Sequence, residues 1–352
     1  MVDPPTVHRA EQTRPEQAPP LKDVRILDLT RLLPGAYATL LLADLGAEVI
    51  KVEDPRRGDG MRSLARGSYF ERLNRNKKSV TLDLRSSDAA VVLDALIARS
   101  DVIVDSFRPS TARRLGVDAA TIRARHPRII CASINGFGQT GPDAERAAHD
   151  INYQALAGLL MRWSSGSRRA QLPGPLVGDI GAAMQAAIGI VAALLQRERT
   201  GQGADVDVPI ARAALAWSMF PTTADLEQAC YTIYETADGQ WLALGALEAK
   251  FWKDFCERLG RADLIPLQHA SGAERVRVME EVRSIIRSRT QHEWLEHFGG
   301  ADVCLTPVLT PEDAPIDADG GAPALGANND EVLEAAGIGA PERQRLRGRK
   351  VI

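Results

Sequence analysis

VRILDLTRLLPGAYATLLLADLGAEVIKVE, residues Val24–Glu53, holds one complete strand–helix–strand unit. VRILDL (Val24–Leu29) is a short apolar run, the pattern of a buried strand. Leu33 to Leu45 reads as a helix with Pro34 in its first turn, where the missing backbone N–H would have had no partner anyway. Gly46 ends it, and AEVIKVE (Ala47–Glu53) is a second strand. Two strands joined through a helix run parallel, since a crossover of this length returns the chain to the same end of the sheet.

The pattern repeats. SVTLDL (Ser79–Leu84), DVIVDSF (Asp101–Phe107) and RIICASI (Arg128–Ile134) read as further strands, with helices over Ser87–Ala98 and near Ala119–Arg125 between them. The expected fold class is α/β, built on a parallel sheet. Helical stretches follow at Ile151–Met161 and Gly181–Glu198; the second is rich in Ala, Gly and Ile with few charges, so it is expected to be buried. From about Tyr231 the sequence YTIYETADGQWLALGAL alternates around Asp238–Gly239, a hairpin signal. Amphipathic helices at Phe251–Leu259, Ala273–Arg287 and Gln291–Phe298 complete a smaller α+β domain, and Asp330–Gly337 is a last short helix. The expected plan is a flexible tail over 1–20, a large domain over 21–217 to which 323–352 return, a small domain over 218–310, and a linker over 311–322.

The chain has 352 residues, 45% hydrophobic, enough for a sizeable core and suggestive of two domains. A net charge of -3 offers no global attraction for nucleic acid or an acidic membrane, so neither is an expected partner. Cys131, Cys230, Cys256 and Cys304 show no C-x-x-C spacing, which speaks against a disulfide framework or a zinc site and for a reducing cytoplasm. The first twenty residues carry prolines and charges without an apolar core, so no secretory signal is expected there. No apolar run approaches the roughly 18–20 residues that span a bilayer.

GFGQTG (Gly136–Gly141) matches a dinucleotide-binding pattern. That chemistry needs a helix N-terminus directly behind the glycines to hold a pyrophosphate. Here Pro142 and Asp143 follow, and convincing helix starts only near Ile151. The first strand–helix turn, DLTRLLPG, also lacks the glycines, although Glu53 ends the second strand as a nucleotide fold would have it. A glycine-rich turn is the better reading.

Several segments, in order, resemble the CoA-transferase family III (CaiB/BaiF type), which includes the α-methylacyl-CoA racemases. They are DLTRLLPGAYATLLLADLGAEVIKVE, NRNKKSVTLDL, SFRPSTARRLG, RIICASINGFGQTGP, AAHDINYQALAGLL, LVGDIGAAMQAAIGIVAALLQRERTGQGADVDV, YETADGQWLALGALEAKFW and DVCLTPVLTPEDA, with ALGANNDEVLEAAG near the end. The resemblance implies a Rossmann-like large domain, a smaller domain, and two chains interlocked as a homodimer. It implies an acyl-CoA thioester as substrate, with coenzyme A present only as part of it, and no metal or other cofactor. In this family a basic residue usually stands at the position of Asp54; Lys51, Arg56 and Arg57 are the nearest cations. The stretch Ser218–Tyr231 and the segment after Ala314 are shorter than in typical members.

Three ionisable residues fall at the family's catalytic positions: His149 in HDINY, Asp179 in VGDIGAA and Glu248 in GALEAKFW. By pattern alone these would be a structural histidine, a helix N-cap and a solvated helix-start residue. The resemblance makes His149 a base and Glu248 its partner. Inverting a 2-methylacyl thioester removes the α-proton from one face and returns one to the other through a planar enolate. Two groups that exchange protons near neutral pH are the minimum. Histidine does so unaided, whereas an aspartate needs a desolvated setting to raise its pKa. Backbone N–H groups at the helix starts around Asp150 and Asp179 are the expected donors to the enolate oxygen. In the transferase branch, the residue matching Asp179 is instead a nucleophile. HDINY, Glu248 and DVCLTPVL favour the racemase branch; CoA transfer is the alternative, and a noncatalytic CoA-ester binding protein is the second alternative.

The phosphates of CoA call for basic residues, and Arg75, Lys77, Lys78, Arg108, Arg113 and Arg114 are candidates. The resemblance selects the strand ends Thr81, Leu82, Asp83, Leu84 and Asp105, Ser106, Phe107, together with Arg108 and Arg114. It also places Ala148, Asp150 and Tyr153 beside the thioester arm.

Overall fold

The computed structural model describes residues 18–162, 169–172, 174–219, 226–314 and 320–352. Most of the expected tail, residues 220–225 and the middle of the expected linker lie outside these. The described chain forms two units, residues 18–219 with 320–352, and residues 226–314.

In the larger unit six strands form one sheet: β1 (Arg25–Asp28), β2 (Glu48–Glu53), β3 (Lys78–Thr81), β4 (Val102–Asp105), β5 (Ile130–Asn135) and β6 (Asp205–Pro209). They lie in the order β3-β2-β1-β4-β5-β6, and every pair is parallel. The helices are α1 (Leu32–Asp44), α2 (Ser68–Asn74), α3 (Ala89–Ile97), α4 (Pro109–Leu115), α5 (Ala119–Arg125), α6 (Asp150–Leu156), α7 (Leu159–Arg162), α8 (Val177–Thr200) and α9 (Ile210–Ala216). Neighbouring strand residues go to opposite cores. Ile26, Val49, Val102, Val104 and Ile130 pack with Ala38 and Leu42 of α1 and with Ala182, Ala186 and Ile190 of α8. Leu27, Ile50, Val80 and Ile103 pack on the other face with Val92, Leu96 and Ile122. Burial on both faces is why these strands read as continuous apolar runs.

Two expectations need correction. The helix expected over Ile151–Met161 is two helices, broken where Gly158 takes φ +74°. The helix expected from Gly181 begins four residues earlier and runs for 24 residues, long and apolar enough to cross a membrane by length and composition. The sequence reading found no such run. This helix packs instead on α1, α9 and the sheet, with Ala182, Ala183, Ala186 and Ile190 buried.

The smaller unit is an antiparallel sheet of β7 (Tyr231–Glu235), β8 (Trp241–Gly245) and β9 (Leu305–Pro307), with β8 central. The turn between β7 and β8 contains Gly239 at φ +72°. Helices α10 (Ala249–Arg258), α11 (Gly272–Ile286) and α12 (Gln291–Phe298) cover it. Its core centres on Phe255, stacked on Trp252 at 5.7 Å and on Phe298 at 5.4 Å.

The chain then returns to the larger unit as α13 (Asn329–Ala335) and α14 (Ala340–Gly348). Edge strand β3 meets two asparagine side chains: Asn328 Oδ1 accepts from the Ser79 N–H at 3.0 Å, and Asn329 Oδ1 from the Thr81 N–H at 2.8 Å. Leu333, Leu346 and Val351 seal the core behind them. An otherwise open edge is thus closed by the chain itself.

Candidate active site

In a sheet of this order ligands meet the carboxyl ends of the strands where the order reverses, here between β1 and β4. At β1 the space is filled. Asp28 is fully buried and accepts from the Thr30 hydroxyl at 2.6 Å and the Thr39 hydroxyl at 2.8 Å. Lys77 Nζ donates to Thr39 Oγ1 (2.7 Å), Ala36 O (2.9 Å) and Asn74 Oδ1 (2.9 Å). Burial pushes Lys77 down to about 7 against the pull of Asp28. Lys51 is buried 3.0 Å from Asp59. Neither lysine faces solvent, so neither serves a phosphate. Arg75 pairs with Asp44 at 2.8 Å, and Lys78 pairs with Glu48 and Glu331. Of the six cations that the sequence offered for the CoA phosphates, Arg75, Lys77 and Lys78 are therefore already paired within the fold. Arg56 pairs with Asp54 and Asp83.

Thr81 and Leu82 are buried under the returning C-terminal segment. The Asp83 N–H donates to Val351 O at 2.8 Å, and its carboxylate faces Arg85 and Arg56. Leu84 is half-buried against the same core. The end of β4 is more open. Asp105 accepts from the Ser133 hydroxyl at 2.7 Å and the Phe107 N–H at 2.8 Å, and burial, with Asp207 adding to it, pushes its carboxyl up to about 6. Ser106 Oγ accepts from the Arg31 N–H at 3.0 Å, and the Arg31 guanidinium lies 5.8 Å from the Phe107 ring centre. Arg108 and Arg114 are exposed and make no ion pair among the described residues, whereas Arg113 lies 3.8 Å from Glu145. Of the six CoA-phosphate candidates, Arg108 and Arg114 are those that make no ion pair among the described residues.

The loop Gly136–Gly141 leaves β5 with Gly138 and Gly141 at φ +90° and +102°, and no helix follows it until Asp150. It leads to the start of α6. His149 is the exposed N-cap, its N–H donating to Asn152 Oδ1 at 3.0 Å. Tyr153 is buried, its hydroxyl donating to Ala148 O at 3.1 Å, over Gly136, where any Cβ would stand 2.5 Å from the Tyr153 hydroxyl oxygen. Burial, then Asp179 and Asp150, push the phenol up to about 12.

Asp179 is the third residue of α8, not its N-cap; Leu176 takes that position. Its N–H donates to Asp150 Oδ1 at 2.9 Å, so it is not available to an enolate, as the sequence reading had expected. The structure thus brings HDINY against VGDIG, 29 positions apart. Burial, with Asp150 adding to it, pushes the Asp179 carboxyl up to about 7. The sequence reading used Asp150 only for its backbone and passed over Gln154, whose amide donates to Asp150 Oδ2 and to Pro175 O. Their spacing of four on a helix was the available signal.

Glu248 belongs to the smaller unit. It is exposed, follows β8 and is the N-cap of α10, in a turn held by Gln268, whose amide donates to Ala246 O and Leu247 O at 3.1 and 2.8 Å.

The larger unit is thus a doubly wound α/β fold in which a half-buried aspartate in the first turn of one helix meets the start of a second, histidine-capped helix. The profile of CoA-transferase family III matches residues 21–323, and the chain belongs to that family. It is 33% identical over 312 residues to the human α-methylacyl-CoA racemase, covering 83% of this chain and 78% of that one. It is 37% identical over 265 residues to the succinyl-CoA–D-citramalate CoA-transferase of Chloroflexus aurantiacus, covering 70% and 66%. Its fold matches a CAIB/BAIF family protein from Brucella suis with TM-score 0.77 at 25% identity, over 91% of this chain and 100% of the other.

Proposed function

We propose that the chain is an acyl-CoA isomerase that epimerises a 2-methylacyl-CoA by 1,1-proton transfer through an enolate. His149 and Asp179 are the two acid/base groups, one taking the α-proton as the other delivers a proton to the opposite face. Glu248 is proposed as the partner of His149 on the family resemblance. Arg108 and Arg114 are proposed to meet the CoA phosphates, and coenzyme A enters only as part of the substrate, with no metal or other cofactor. The observation that carries the reading is the packing of the Asp179 turn against the helix that His149 caps, joined by the Asp179 N–H bond to Asp150 Oδ1, with burial raising the Asp179 carboxyl to about 7. A carboxyl that gains and loses a proton near neutrality suits proton transfer.

CoA transfer between carboxylic acids is the second reading, because a CoA-transferase matches at 37% identity. It uses Asp179 ionised, as a nucleophile, which the desolvated setting opposes. We further propose a cytoplasmic homodimer, interlocked as the family resemblance implies. Its support is the face of α8 formed by Met184, Ile188, Val191 and Leu195, of which Ile188 is 70% exposed.

The test is proton NMR of a (2R)- or (2S)-2-methylacyl-CoA with the protein in D2O. The α-proton signal is expected to disappear while the other epimer grows in, and His149→Ala is expected to slow this by roughly 100–10,000-fold. Undiminished exchange in that variant removes His149 from the mechanism. Absence of exchange, with a hydroxylamine-sensitive adduct on Asp179, establishes the transferase reading instead.

A further inference from the structure

An aspartate in the first turn of a helix is ordinarily helped to ionise by nearby backbone N–H groups and the positive end of the dipole. Asp179 stands in such a turn, yet its own N–H is taken by Asp150 Oδ1 at 2.9 Å. Asp150 is 4% exposed, and its other oxygen accepts from the amide of Gln154, itself fully buried. Gln154 also donates to Pro175 O at 3.0 Å, tying α6 to the segment that enters α8. Gly178 lets the two helix starts come this close, since a Cβ there would stand 2.9 Å from Asp150 Oδ1. From α9, Ile210 and Ala214 lie beside Gly178, and Ala213 and the Trp217 indole N–H lie beside Gly181. Two further titratable side chains belong to the same helix start: His149, its exposed N-cap, and Tyr153, whose hydroxyl is committed to Ala148 O.

We propose that Asp150 is a positioning residue for Asp179: its buried carboxyl group takes the Asp179 N–H, pins the first turn of α8 and stands beside the Asp179 carboxyl, where it governs proton exchange at that group. The Asp150 side chain acts through Asp179, whose N–H it holds. The inference rests on the reading of Asp179 as an acid/base group, but its first measurement does not require turnover.

That measurement is a carbon-13 NMR titration of the aspartate carboxyls, with the Asp179 signal assigned by its loss in Asp179→Asn. In the unmodified protein Asp179 is expected to titrate at about 7. Asp150→Asn and Asp150→Ser each keep an oxygen that can accept the Asp179 N–H while removing the charge. In either, the Asp179 midpoint is expected to fall by about one unit or more. The pH profile of α-proton exchange is expected to shift to lower pH with it. An unchanged midpoint in a folded Asn or Ser variant overturns the proposal. So does an unmodified Asp179 that titrates in the ordinary carboxylate range, a result that needs no variant. If the titrations behave as expected and the unmodified protein exchanges no α-proton, Asp150 keeps its role and the isomerase reading fails.

Discussion

At the scale of single residues, chemistry here is set by what each charge is allowed to touch. Lys77 and Lys51 are spent on Asp28 and Asp59 inside the fold, while Arg108 and Arg114 remain exposed. Asp179 is a carboxyl in a helix's first turn whose own N–H is bound to Asp150. Its pKa in the folded protein, about 7, lies above the ordinary 3.8. A raised carboxyl contributes stability that is whole below the unfolded value and is lost as pH rises toward the folded one. Asp179→Asn abolishes that dependence. Between about pH 4 and pH 8 the unmodified protein is therefore expected to lose on the order of 1–3 kcal/mol relative to the variant. Urea unfolding of both proteins across this range checks it; parallel stability curves would mean that Asp179 ionises normally. The identities of His149 and Asp179 could be read from HDINY and VGDIG. The N–H that Asp179 gives to Asp150 could not, because it joins residues 29 positions apart through tertiary packing.

At the scale of elements, the parallel strands were legible because each is a short apolar run bounded by turn residues. β1 was expected over Val24–Leu29 and spans Arg25–Asp28; β5 was expected over Arg128–Ile134 and spans Ile130–Asn135. The short helices α2, α4 and α14 went unread, while α5 and α13, equally short, were read. The start of α8 was read too late because Gly178 and Gly181 have low helix propensity; both are buried where the backbone meets Asp150 and α9. Close backbone approach also governs Gly203, just ahead of β6, where a Cβ would lie 1.9 Å from Ile129 O. Gly203→Ala must push two backbone segments apart and is expected to cost about 1–3 kcal/mol or more. Gly348, at the end of α14 with nothing within 4 Å of its Cβ position, is the matched control. Chemical denaturation of the two alanine variants should separate them clearly; equal stabilities would show that the β5–β6 junction yields without strain.

At the scale of the whole molecule, the exposed stripe on α8 sets the main expectation. Met184, Ile188, Val191 and Leu195 recur every three or four residues, so they form one face. If that face is covered by a second copy, the protein will sediment at twice the 38.1 kDa chain mass. Ile188→Glu should then favour the single chain, because burying an unpaired charge costs far more than an exposed one. Sedimentation of the unmodified protein at the single-chain mass across micromolar concentrations would sink the dimer. The same scale separates what was readable from what was not. Order and spacing along the chain, by themselves, determined the alternation of strands and helices, the hairpin at Asp238–Gly239 and the family, since these follow from local periodicity and contiguous motifs. Only the tertiary structure decided which lysines are buried, that Asn328 and Asn329 close the edge of β3, and that Asp150 sits against Asp179. Each of these depends on segments distant in sequence being packed together, and desolvation exists only once they are.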